Sequence, residues 1–205
     1  MDRTVAAMPI LRQRAPRSAE EQPAASVKEP QAAESPTRRT AGDQVVVGAV
    51  PRQPPGFQPR PDLMAQLNRT DAGVSVIHAV TEGVGKTQLA AAYARAKLAQ
   101  GWRLVAWVNA RNIGSLLAGL STTADVMGLS DADSGGDTAD LGRVLRHRLE
   151  ADGDRCLVVF DDAADPNVLR PFVPVTGSAR ILITGNLKSA ANLGTGLPVG
   201  VFSAD

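Results

Sequence analysis

Val74-Ser75-Val76-Ile77-His78-Ala79-Val80, then Thr81-Glu82, then Gly83-Val84-Gly85-Lys86-Thr87-Gln88-Leu89-Ala90 is the stretch that decides the fold. Its first part is apolar and β-branched, as a buried strand requires. From Thr87 to about Gln100 the pattern becomes helical, and Gly101 stops it. Between them stand two glycines, a lysine and a hydroxyl. A strand ending in a glycine-rich turn that opens a helix exposes backbone N–H groups at the helix's positive end, and this arrangement surrounds an anion. Gly83 and Gly85 permit close backbone approach, Val84 lies between them, and Lys86 reaches outer phosphates. Thr87 offers a hydroxyl to magnesium, and Gln88 continues the first turn. The full pattern G-x-x-x-x-G-K-[ST] is not met, because its first glycine falls on Val80. The competing reading is a strand–helix turn that merely retains its glycines.

Downstream, strands and helices alternate. Arg103 to Val108 and Cys156 to Phe160 are apolar runs, as is Arg180 to Thr184. Helical spacing covers Ile113 to Met127 and Leu141 to Glu150, and Asn167 to Leu169 fits a short turn of helix. Upstream, Asp62 reads as the N-cap of a helix carrying Leu63, Met64 and Leu67. Ser130 to Asp140 reads as a loop, and a last strand is expected at Pro198 to Phe202. Unbroken apolar strands alternating with helices predict an α/β fold, a parallel sheet with helices on both faces in three α/β/α layers.

The run Leu157-Val158-Val159-Phe160-Asp161-Asp162 places two carboxylates at a buried strand's end. Ligands of open parallel sheets sit at the strands' carboxyl ends, so both acids face the same crevice as the glycine turn. Asp161 is expected to hold magnesium with Thr87, and Asp162 to orient or deprotonate an attacking water. A helix N-cap is the alternative, and it accounts for one aspartate better than two.

Composition narrows the rest. At 205 residues and 43% hydrophobic, the chain can bury one core. Residues 1–44 lack apolar periodicity and are expected to form a disordered arm, with the nucleotide-binding domain over 45–205. A net charge of +1 and 3% aromatics argue against a nucleic-acid-binding surface. The single cysteine, Cys156, excludes an internal disulfide, and a cytoplasmic setting is expected. His78 and His147 lack companion cysteines, so no zinc site is expected. No stretch is apolar and long enough to span a membrane.

With both motifs placed, the chain from about Val46 onward resembles the nucleotide-binding domain of NB-ARC proteins, the STAND class of P-loop signalling ATPases, and among them bacterial members with tetratricopeptide repeats. The resemblance rests on Gly83 to Ala90, Val105-Ala106-Trp107-Val108, the Asp161-Asp162 strand and Ala179-Arg180-Ile181-Leu182-Ile183-Thr184. It implies bound ATP or ADP with Mg2+, a switch role in signal transduction, and protein partners or self-association. The family's Gly-Arg element near adenine has only Gly56-Phe57-Gln58-Pro59-Arg60 as a counterpart. Its phosphate-sensing arginine is replaced by Asn186, and Gly196-Leu197-Pro198 comes too early for the lid motif, reading instead as a turn. The helical lid would begin where the sequence stops at Asp205. A switch core of weak or absent ATPase turnover is therefore expected. A degenerate P-loop remnant serving as a protein-interaction module is the alternative. A small-molecule kinase is a second one, disfavoured because no arginine cluster follows Asp162.

Overall fold

The computed structural model describes residues 38–40, 44–69, 73–81, 83–130, 137–185 and 192–200. The expected arm over 1–44 falls outside them except for its last residues, where β1 (Arg38–Thr40) pairs antiparallel with β2 (Gln44–Val47). The remaining elements follow as α1 (Pro61–Arg69), β3 (Val74–His78), α2 (Lys86–Ala99), β4 (Leu104–Asn109), α3 (Ile113–Val126) and α4 (Thr138–Ala151). After them come β5 (Cys156–Ala163), α5 (Pro166–Leu169), a 3-10 turn (Arg170–Phe172), β6 (Arg180–Gly185) and β7 (Thr195–Pro198).

One seven-stranded sheet runs in the order β1-β2-β4-β5-β6-β3-β7, parallel throughout except at β1. Alternation of side chains along the strands divides the core in two. On one face Leu63 and Leu67 of α1 and Leu89, Ala90 and Tyr93 of α2 bury Ile77, Val105, Leu157 and Leu182. On the other, Leu116 and Leu120 of α3 and Leu145 and Leu149 of α4 cover Val76, Val108, Phe160 and Ile183. Three α/β/α layers result, with the topology and glycine turn of a P-loop fold.

Helix ends follow the local chemistry. α2 closes with Gly101 left-handed at φ 69°, its N–H donating to the Leu98 carbonyl and Trp102 N–H to Lys97. The Gln44 amide ties β2 to the same end, donating to the Leu98 and Trp102 carbonyls. Asn112 caps α3 by accepting from Ser115 N–H at 2.9 Å.

Three boundaries differ from expectation. Pro61 opens α1, a position suited to its fixed φ and missing N–H, so Asp62 lies inside the first turn rather than capping it. α4 starts at Thr138, earlier than its apolar periodicity indicates, because its first turn is polar and exposed. Gly196-Leu197-Pro198 belongs to β7 instead of a turn before it. Leu197 pairs with Ile77 and is buried, while an edge strand tolerates Pro198. The last strand thus ends at Pro198, where it was expected to begin: Val199 and Gly200 follow outside it, and residues 201–202 lie outside the described residues.

Candidate phosphate-binding cleft

Strand β3 enters the sheet between β6 and β7, and its continuation crosses to β4, two strands beyond β6. The carboxyl ends of β3, β4, β5 and β6 therefore line one edge, as the paired registers His78–Gly185 and Asn109–Asp161 show. The neighbouring strands β3 and β6 send their connections to opposite sides, β3 toward β4 and β6 toward β7, and such a point is the usual position of a ligand crevice.

The glycine turn sits at this edge. Gly83 has φ 76° and Gly85 φ 88°, a left-handed conformation costly for any residue with a Cβ. Gly85 is the N-cap of α2, so Lys86 and Thr87 occupy its first turn. A Cβ on either glycine would meet nothing within 4 Å. Backbone conformation and open space in front of the turn, rather than crowding by the protein, thus select glycine. Val80, at the place of the absent first glycine, is 84% exposed.

Asp161 is the hub of the cleft. Its Oδ1 accepts from Thr87 Oγ1 at 2.9 Å and from Thr184 Oγ1 at 2.6 Å. Thr184 is fully buried in β6, and its oxygen also accepts from Asp162 N–H at 2.9 Å. Strand β5 runs through both aspartates with a bulge between Phe160 and Ala163, and Asp162 takes φ 58°. An extra residue in a bulged strand re-aims its side chains. Here Asp161 turns toward α2 and Asp162 toward the β4–α3 turn, where its Oδ2 pairs with Arg111 Nε at 3.0 Å.

A cleft of about 440 Å³ is lined by Gly83, Gly85, Lys86, Thr87, Asp161 and Asp162 together with Gln88, Asn109 and Arg111. Beside it a smaller, mainly apolar cavity of about 160 Å³ lies among Pro54, Phe57, Val84, Leu89 and Val199. Gly85 and Gln88 line both. The Gln88 Oε1 atom is buried without a hydrogen-bond partner. An orphaned buried amide oxygen is costly unless a bound group satisfies it.

Every residue that the sequence nominates, Gly83 through Gln88 with Asp161 and Asp162, borders this pair of cavities. Gly56-Phe57-Gln58 and Arg60 line the smaller one. Asn186 lies outside the described residues. Sequence reasoning missed Thr184, Asn109 and Arg111. A lone hydroxyl in the aliphatic β6 was a signal for the first; no spacing rule links the β4–α3 turn to the glycine loop. Among the described residues no three His, Cys, Asp or Glu side chains cluster as a metal cage. Hard oxygen donors from one hydroxyl and one carboxylate do suit Mg2+, which takes its other ligands from phosphate and water.

The fold and cleft together define a P-loop α/β/α domain. No protein-family model matches the sequence, and no curated protein matches it. Similar solved structures include the ORC2 protein of Aeropyrum pernix in ADPNP–ADP complexes, at 19% identity and TM-score 0.48 over 71% of this chain and 49% of that one. Another is CDC6P of Pyrobaculum aerophilum, at 16% identity and TM-score 0.46 over 70% of this chain and 42% of that one. The chain thus spans about half the length of these proteins or less. No helix among the described residues is long and apolar enough to cross a membrane.

Proposed function

We propose that this domain binds ATP or ADP with Mg2+ and acts as a nucleotide-dependent switch of the NB-ARC type, with slow hydrolysis or none. The observation that carries the reading is the 2.9 Å contact of Thr87 Oγ1 with Asp161 Oδ1 at the mouth of the glycine turn. A threonine that donates its proton to a carboxylate keeps its oxygen lone pairs for a magnesium ion. Thr87 and Asp161, the latter through water, would hold that ion, which neutralises phosphate charge when bound. Lys86 and the amino end of α2 would face the phosphates. The apolar cavity of Phe57, Val84 and Leu89 would receive the base, and the unpartnered Gln88 oxygen would accept a donor from the nucleotide.

Slow turnover is supported by the residues that end β6 and follow it, Gly185 and Asn186, where the resembled family carries an arginine that senses the terminal phosphate; neither supplies a cation there. Signalling would then depend on which nucleotide is bound and on the protein surfaces that its presence alters.

Calorimetric titration of the chain and of Lys86→Ala with Mg-ADP and Mg-ATP tests the reading. Binding by the parent chain and an affinity at least roughly tenfold lower in the variant are expected, on the scale of a lost charge-assisted contact. No binding by the parent would leave a P-loop scaffold that serves protein contacts alone. Binding indifferent to Lys86→Ala would put the nucleotide elsewhere.

A further inference from the structure

We infer that Arg111 distinguishes a nucleoside triphosphate from a diphosphate in this cleft, exchanging Asp162 for the third phosphate. The inference rests on the nucleotide reading above and assigns a role within that site to a residue outside the glycine turn and the two acids.

Position is the first argument. Arg111 lines the same cleft as Lys86, Thr87 and Asp161, but from the turn after β4. Strands β5 and β6 separate β4 from β3, so the two strands lie roughly 14 Å apart at ordinary sheet spacing. A phosphate chain held by the glycine turn must extend across the cleft before it meets this guanidinium. Its terminal group is the one that does so.

Anchoring is the second. The backbone of the β4–α3 turn is fixed: Ala110 N–H donates to the Asp161 carbonyl at 2.7 Å, Arg111 N–H to Asn109 Oδ1 at 3.0 Å, and Asn112 caps α3. The side chain is not so constrained. Arg111 and Asp162 are 75% and 57% exposed in their side chains, and the pair meets through Nε and Oδ2 at 3.0 Å.

Charge is the third. An exposed ion pair contributes little, so releasing Asp162 costs little. A terminal phosphate presents several oxygens to a planar fork that matches them in pairs, which one carboxylate engaged through Nε does not exploit. Without a third phosphate, Arg111 neutralises Asp162 beside an anionic ligand. With it, the guanidinium moves to the phosphate and Asp162 is released.

The test measures affinities of the full chain, Arg111→Gln and Asp162→Asn for Mg-ADP and for Mg-AMPPNP, a triphosphate analogue with a nonhydrolysed terminal bond. Arg111→Gln should weaken the triphosphate roughly tenfold, the scale of charge-assisted hydrogen bonding to phosphate, and leave ADP within about twofold. Asp162→Asn, which frees the guanidinium, should tighten the triphosphate relative to ADP. An unchanged triphosphate-to-diphosphate ratio in Arg111→Gln overturns the inference while the Lys86 dependence of the parent chain still upholds nucleotide binding. Absence of binding by the parent chain overturns both.

Discussion

Thr184 shows how much one buried hydroxyl organises. It donates to Asp161 Oδ1 and accepts from Asp162 N–H, so it fixes the carboxylate and the bulge that follows it with a single oxygen. Valine has nearly the same shape but neither donor nor acceptor. Thr184→Val would strand the Asp162 N–H in a part-buried place and deprive Asp161 of one of its two hydroxyl partners. A loss of about 1–3 kcal/mol in unfolding free energy is expected, the cost of an unsatisfied group rather than of one hydrogen bond. Thr184→Ser, which keeps the oxygen, should recover most of it apart from a packing loss of about 1 kcal/mol for the missing methyl. Urea denaturation of the three proteins would show this ordering. A valine variant as stable as the parent would mean that the bulge holds itself.

At the scale of elements, what could be read in advance follows from how each element is encoded. Strands β3, β4, β5 and β6 are written as apolar runs because they are buried on both faces, and the glycine turn is written as residues that tolerate a left-handed backbone. Strand β7 is not: as an edge strand it needs neither a full apolar run nor an N–H at every position, so Gly196 and Pro198 imitate a turn. The bulge in β5 has no sequence signature, and Arg111 reaches the cleft only because β4 lies beside β5. The contact between α4 and the segment before β6 is equally invisible locally. There Glu150 accepts the Val175 N–H at 2.9 Å and pairs with Arg146 at 3.0 Å. The Val175 N–H foremost, with Arg146, holds the Glu150 carboxyl below its ordinary range. A carboxyl depressed in the folded state stabilises above its unfolded pKa and loses that contribution as pH falls through the folded value. Glu150→Gln should therefore lower stability by about 1 kcal/mol near neutrality, where the charge-assisted bonds are intact. The difference from the parent should shrink as pH drops below the usual carboxylate range. Denaturation curves at neutral and acid pH would show the convergence; a gap that widens in acid would contradict it.

Across the whole molecule, the cleft is where both helical layers meet the end of the sheet. The glycine turn leads into α2 on one face, and the β4–α3 turn leads into α3 on the other. A ligand held at Lys86, Thr87 and Asp161 lies between the two layers, and a triphosphate that also reaches Arg111 ties them together. Either binds the folded state and has no comparable site in the unfolded chain, so it must raise global stability by mass action. At a free concentration about a hundred times its dissociation constant, that increase is about 2.7 kcal/mol. For a domain of this size each kcal/mol moves the midpoint by roughly 2–4 °C, so a rise of roughly 5–10 °C is expected. Thermal scans should show it with Mg-ATP or Mg-ADP, and a much smaller rise at the same concentrations in Lys86→Ala. Mg2+ alone should do little, because one hydroxyl and one carboxylate leave most of its coordination to phosphate and water. An equal rise in parent and variant would trace the stabilisation to ionic effects on the whole surface, and the cleft would lose its claim to the nucleotide.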